Sequence, residues 1–109
     1  MPFVAWLIFI AAAVLEVSGD AVIRKGLRGG GIALIGGGFV MLGCYGLVVN
    51  ILRWDFSRLL GVYVAVFALV SVLAGRFVFG EVVPAPTWVG LVIIIAGGLV
   101  IQFGGQFKW

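Results

Sequence analysis

Histidine is absent from this 109-residue chain, and cysteine occurs once, at Cys44. The first absence excludes histidine triads, histidine metal sites and the usual neutral-pH proton shuttle. The second excludes an internal disulfide and a cysteine-based metal cluster. Charge is also scarce: 10% of residues are charged, against about a quarter in soluble domains. Four acids are present, Glu16, Asp20, Asp55 and Glu81, so any proton carrier is one of them. The net charge of +3 is too small and too scattered for a nucleic-acid-binding face. No nucleophile–base pair is visible. The composition therefore leads us to expect no enzyme, no cofactor, no metal and no nucleic-acid partner.

What fills the chain is apolar. Hydrophobic residues make up 64% of it and the mean hydropathy is +1.33. A bilayer span needs about 20 apolar residues, and four runs qualify: 2–23, 31–52, 57–79 and 85–103. Each is too long for a barrel strand and lacks its alternation, so helices are predicted. Pro84 and Pro86 fit the opening turn of the fourth, where a missing N–H does no harm. The first run has no basic segment before it and no cleavage site after it, which predicts a retained helix. The expected fold class is an all-α integral membrane protein. Its expected domain organisation is one domain over 1–109, with four transmembrane helices.

The short connections hold most of the cations. Arg24, Lys25 and Arg28, with Arg76, fall on one side of the membrane, and Arg53, Arg58 and Lys108 on the other, four against three. The positive-inside rule needs an imbalance to set orientation. With so little imbalance, the chain is expected to insert both ways and to assemble as an antiparallel homodimer. Two copies would then supply the inverted repeats that larger transporters encode in one chain. Trp54, Trp88 and Trp109 lie near predicted boundaries, where amphipathic rings anchor at the headgroups.

The chemistry concentrates in the first run. Glu16 and Asp20 are four residues apart and share a helical face, and Arg24 is four beyond Asp20. The simplest allocation pairs Arg24 with Asp20 near the headgroups and leaves Glu16 deeper, with no cation of its own on the helix. Ionising a carboxyl at membrane depth costs roughly 2.5–3.5 kcal/mol on insertion scales. Such an acid can hold either a proton or a cation, which is the exchange element of an antiporter. The alternative is that Glu16 hydrogen-bonds another helix and serves packing. Tyr63, in the middle of the third run, could stack on a cationic substrate or be a core aromatic with one hydroxyl partner. Arg58 is expected to reach the surface or pair with Asp55, and Glu81 to lie at the interface.

Small residues recur at helical spacing: Gly29, Ala33 and Gly37, then Gly43 and Gly46; Gly61 and Ala65, then Ser71 and Gly75; and Gly90, Gly97 and Gly98. In lipid these let helices approach closely. Gly90, Ile94, Gly97 and Ile101 form one stripe on the fourth helix and are the expected dimer seam.

At these residues the chain resembles the small multidrug resistance family of the drug/metabolite transporter superfamily, over nearly its whole length. Leu15-Glu16-Val17-Ser18-Gly19 resembles the A-E-V-x-G stretch around that family's essential glutamate. Gly75-Arg76-Phe77-Val78-Phe79-Gly80-Glu81 resembles the superfamily's F-G-E helix ending. The run from Gly90 to Gly98 resembles the G-x-x-x-I-x-x-G dimerisation stripe. Gapless alignment sets Tyr63 at the family's mid-helix tryptophan and Leu60 at a substrate-lining tyrosine. The chain departs from the family at Ala65-Val66-Phe67, where a glycine hinge is usual, and in the extra charges of Asp20 and Arg58. The resemblance implies an antiparallel dimer in the bacterial plasma (inner) membrane and proton-coupled export of quaternary or guanidinium-type cations. It also implies a glutamate pair shared between subunits.

The function expected is therefore a proton-coupled secondary transporter of small organic cations (quaternary ammonium, guanidinium or polyamine type). It would work through Glu16, with Asp20 and Tyr63 as further binding residues and with protons and membrane lipid as partners. Two alternatives are a flippase for a lipid-linked substrate, using Arg24 and Arg58, and a non-transporting accessory membrane subunit.

Overall fold

A computed structural model describes residues 2–104. It contains four helices: α1 (Pro2–Lys25), α2 (Ile32–Val49), α3 (Phe56–Phe77) and α4 (Ala85–Phe103). All four are long and apolar enough to cross a membrane, and no strand occurs among the described residues. The fold class is thus all-helical, as the unbroken apolar runs dictate. At 1.5 Å per residue the 24 residues of α1 extend about 36 Å, more than the roughly 30 Å hydrocarbon core. Lys108 and Trp109, read as a topogenic charge and an anchor, lie outside the described residues.

α1 packs on α2, and α3 on α4, as two helical hairpins. In the first, α1 ends in a wide turn, with Gly31 N–H donating to Gly26 O at 3.2 Å. Gly29 takes φ 103° there, a region that side chains with a Cβ rarely enter. This corrects one expectation: Gly29 is a turn residue and not part of the second helix's face. α2 stops at Val49, earlier than the apolar run, because Asn50 closes it. The Asn50 side-chain Nδ2 and its backbone N–H both donate to Gly46 O, at 2.8 and 3.3 Å.

The hairpin cores are thin. Ala5, Phe9, Ala12, Ala13 and Val49 are buried in the first, and Leu59, Val62, Tyr63 and Leu91 in the second. Large apolar side chains such as Ile32, Leu47 and Val92 face outward. In water such a surface would aggregate, whereas beside lipid tails it carries no penalty. Since lipid is as apolar as leucine, close packing, and not water exclusion, holds the helices together.

In the second hairpin, small residues set the approach. A Cβ on Gly98 would lie 2.6 Å from the Ala65 Cβ, and one on Gly61 would lie 2.7 Å from Ile101 Cδ1. Arg58 ties the start of α3 to the end of α4, with Nη2 donating to Gln102 Oε1 at 2.9 Å. Its guanidinium lies 4.3 Å from the centroid of the Trp54 ring. Arg58 is therefore paired with Gln102 and Trp54, not with Asp55. The Asp55 backbone carbonyl instead accepts the first-turn N–H of Leu59, at 2.8 Å.

Candidate functional site

The α1–α2 seam can be read position by position. A Cβ on Gly26 would meet Ile35, one on Gly38 would meet Ile23, and one on Gly19 would meet Leu42 Cδ2 at 3.0 Å. The helices run antiparallel, so each step back by three or four along α1 matches an equal step forward along α2. The next pair in this register is Glu16 with Tyr45, followed by Ala12 with Val49, both of them buried. Glu16 and Tyr45 do lie within electrostatic reach of each other. Both are half-buried. An acid and a phenol thus face one another inside a seam otherwise made of Ala, Gly, Ile, Leu and Val.

Asp20 stands differently. It is exposed, as is Arg24, and no ion pair joins them among the described residues. A step of four residues turns about 40° around a helix. That turn is enough to carry Asp20 out of the seam that holds Glu16. The shared face expected for the two acids is real along the helix, but the neighbouring helix covers only Glu16.

Tyr63 belongs to the α3–α4 hairpin, where it is 3% exposed. Its ring centroid is 6.3 Å from that of Phe67, at a 34° tilt. A ring covered this well presents no face to a cation while α3 and α4 stay packed. Of the expected dimer stripe, Gly90 and Gly97 have open space where a Cβ would stand, and Ile94 and Ile101 are 40% and 44% exposed.

Sequence reasoning passed over Tyr45 in favour of Tyr63. The register of Gly19 and Gly38 was the signal that leads to it, and three consecutive glycines at 36–38 gave no means of choosing that register.

The comparisons with known proteins agree on one family. The model of the family described as "Uncharacterised BCR, YnfA/UPF0060 family" matches residues 3–106. The chain belongs to the YnfA/UPF0060 family. This family, and not the small multidrug resistance family suggested by the motifs, is the one shown. A UPF0060 membrane protein of Mycobacterium marinum is 37% identical over 100 residues, covering 89% of this chain and 90% of its own length. One of Saccharopolyspora erythraea is 35% identical over 98 residues, covering 88% and 89%. One of Synechocystis is 27% identical over 103 residues, covering 92% and 94%. No solved structure matches. With these bacterial membrane proteins as YnfA/UPF0060 relatives, and with four helices able to span, the chain is a multi-pass bacterial membrane protein.

Proposed function

We propose that this chain is a proton-coupled secondary transporter that exports small organic cations by alternating access. The observation that carries the reading is Glu16 in the α1–α2 seam, facing Tyr45. An acid retained within a membrane helix is a functional-site hypothesis by default. One carboxylate can hold a proton or a cation but not both. A proton taken up on the outer side displaces the cargo, and its release on the inner side frees the carboxylate for the next cation. The phenol of Tyr45 supplies a hydroxyl to the ionised acid and a ring face to a cation. The motif resemblance to the small multidrug resistance family supports the same chemistry.

The working unit proposed is an antiparallel homodimer. Four charges against three give little orientational bias, and the open faces of Gly90 and Gly97 leave room for a second helix. A lipid-linked substrate would instead depend on Arg58. That guanidinium is already engaged by Gln102 and Trp54, which favours the cation reading.

The test is proton movement in proteoliposomes driven by an imposed gradient of an organic cation. Wild-type protein is expected to move protons against the cation, and Glu16→Gln to abolish it. Undiminished exchange in Glu16→Gln refutes the proposal. Loss of activity in Arg58→Ala with activity retained in Glu16→Gln points to the flippase.

A further inference from the structure

The end of α3 holds a second acid with a different setting. The chain reverses through Gly80 (φ 66°), and Glu81 N–H donates to Gly75 O at 2.9 Å. This reversal lays the Glu81 side chain back over the helix. Its Oε1 lies 2.5 Å from where a Cβ on Gly75 would stand, so only glycine leaves the carboxylate that place. The carboxylate makes no hydrogen bond or ion pair among the described residues.

Beside it is an open cavity of about 200 Å³ whose polar lining is Ser71, Glu81 and Thr87 and whose apolar lining includes Val72, Val82 and Val83. Ser71, Val72 and Val83 form its half-buried floor, and Glu81, Val82 and Thr87 its exposed rim. The Ser71 hydroxyl donates to Ala68 O at 2.9 Å, which leaves its oxygen as an acceptor. The carboxylate offers acceptors only, and the Thr87 hydroxyl can turn either way. The N–H groups of Thr87 and Trp88, in the first turn of α4, are committed to Pro84 O at 3.0 and 3.4 Å and do not point into the cavity as anion donors. The carbonyl end of α3 and the N–H end of α4 oppose each other here, so the Glu81 carboxylate sets the sign of the charge. Acceptors, negative charge and short apolar walls are complementary to a cation that carries N–H donors and a small carbon chain. The volume is below the roughly 300–1,000 Å³ of drug-sized sites.

We propose that this cavity binds a primary ammonium group on a short alkyl chain, independently of Glu16. It lies where α3 ends and α4 begins, which for two spanning helices is the level expected of the lipid headgroups. The ammonium could therefore come from a free amine in water or from the ethanolamine headgroup of a phospholipid.

The experiment uses the full chain in phosphatidylcholine nanodiscs, titrated with ethylammonium chloride and followed by the NMR amide shifts of Ser71, Glu81 and Thr87. Saturable shifts are expected, and Glu16→Gln should keep them, which separates this site from the transport reading. Glu81→Gln should weaken binding about tenfold or more, as loss of a charge-assisted hydrogen bond predicts. Gly75→Ala should do the same without unfolding, because its methyl displaces only the free end of the Glu81 side chain. Tetramethylammonium has no N–H and should give no shift. In nanodiscs containing phosphatidylethanolamine, shifts present before titration identify the lipid headgroup as the ligand, and an unchanged titration identifies the free amine. Absence of saturable shifts in both lipids, equal binding by Glu81→Gln, or equal shifts from tetramethylammonium overturns the proposal.

Discussion

Gly19 and Gly38 cross with no side chain between them: a methyl group on Gly38 would lie 2.8 Å from the Gly19 carbonyl oxygen. That crossing fixes the register of α1 on α2, and the register brings Glu16 opposite Tyr45. The same contact that holds the hairpin together thereby positions the acid. Helix packing and the placement of Glu16 opposite Tyr45 thus rest on the same close backbone approach.

Gly38→Ala is expected to destabilise the first hairpin by about 1–3 kcal/mol, the usual cost of overpacking a closed site. The obstacles are the Ile23 side chain and, behind it, the backbone at Gly19 O and Ile23 N, which cannot rotate away. Gly37→Ala is the control, because a Cβ at that position meets nothing within 4 Å. Thermal unfolding in detergent should show a lower Tm for Gly38→Ala and little change for Gly37→Ala. Equal Tm values for the two would contradict the crossing.

Tyr45→Phe should slow cation exchange while leaving the hairpin intact. An electrostatic partner in the seam is worth on the order of 1 kcal/mol, or about fivefold in an equilibrium constant. Cys44→Ser, one residue away and exposed, should leave exchange unchanged. Proteoliposome flux measured for both variants decides the point: a Tyr45→Phe rate equal to wild type removes the phenol from the site.

The four helices were legible because apolar runs of this length have few other solutions. Helix ends were legible where a residue had a local reason to begin or stop a helix, as with Pro84 before α4 and Pro86 in its first turn. They were less so at Asn50, whose cap on Gly46 O shortens α2 inside an apolar run. Glu16 was legible from its cost in lipid. Its partner was not, because any of Gly36, Gly37 and Gly38 could have taken the crossing, and a shift of one residue would have turned Tyr45 away. The Asp20–Arg24 pairing failed for a related reason: i,i+4 spacing makes a pair possible, but at an exposed site water and side-chain entropy compete with it. Arg58 found Gln102, 44 residues away in the chain, a contact that no local pattern announces.

The Arg58–Gln102 clasp should add modestly to the stability of the second hairpin. A hydrogen bond from a charged group contributes about 1.5–3 kcal/mol when sheltered, and this one is only partly buried, so about 1 kcal/mol is expected. A double-mutant cycle with Arg58→Met and Gln102→Leu, read by denaturant unfolding, should return a coupling energy of that order. Asp55→Asn should leave the coupling unchanged, and a coupling carried by Asp55 instead would show that Arg58 has the partner that its nearness in sequence suggested.

Adjacent glycines on α4 should behave in opposite ways. Gly98 packs on Ala65 inside the hairpin, and a side chain there would strike the Ala65 Cβ at 2.6 Å. Gly97, one residue earlier, looks outward into open space, on the stripe with Gly90, Ile94 and Ile101. Ile101 also rests over Gly61, so the stripe is anchored at one end by its own hairpin. Gly98→Val should therefore lower the Tm of the second hairpin. Gly97→Val should leave that Tm in place and reduce the yield of cross-linked dimer, because close helix approach in lipid depends on small residues at the contact. Dimer yield that survives Gly97→Val, in protein whose Tm is unchanged, would place the dimer contact on another face and leave the stripe to the lipid.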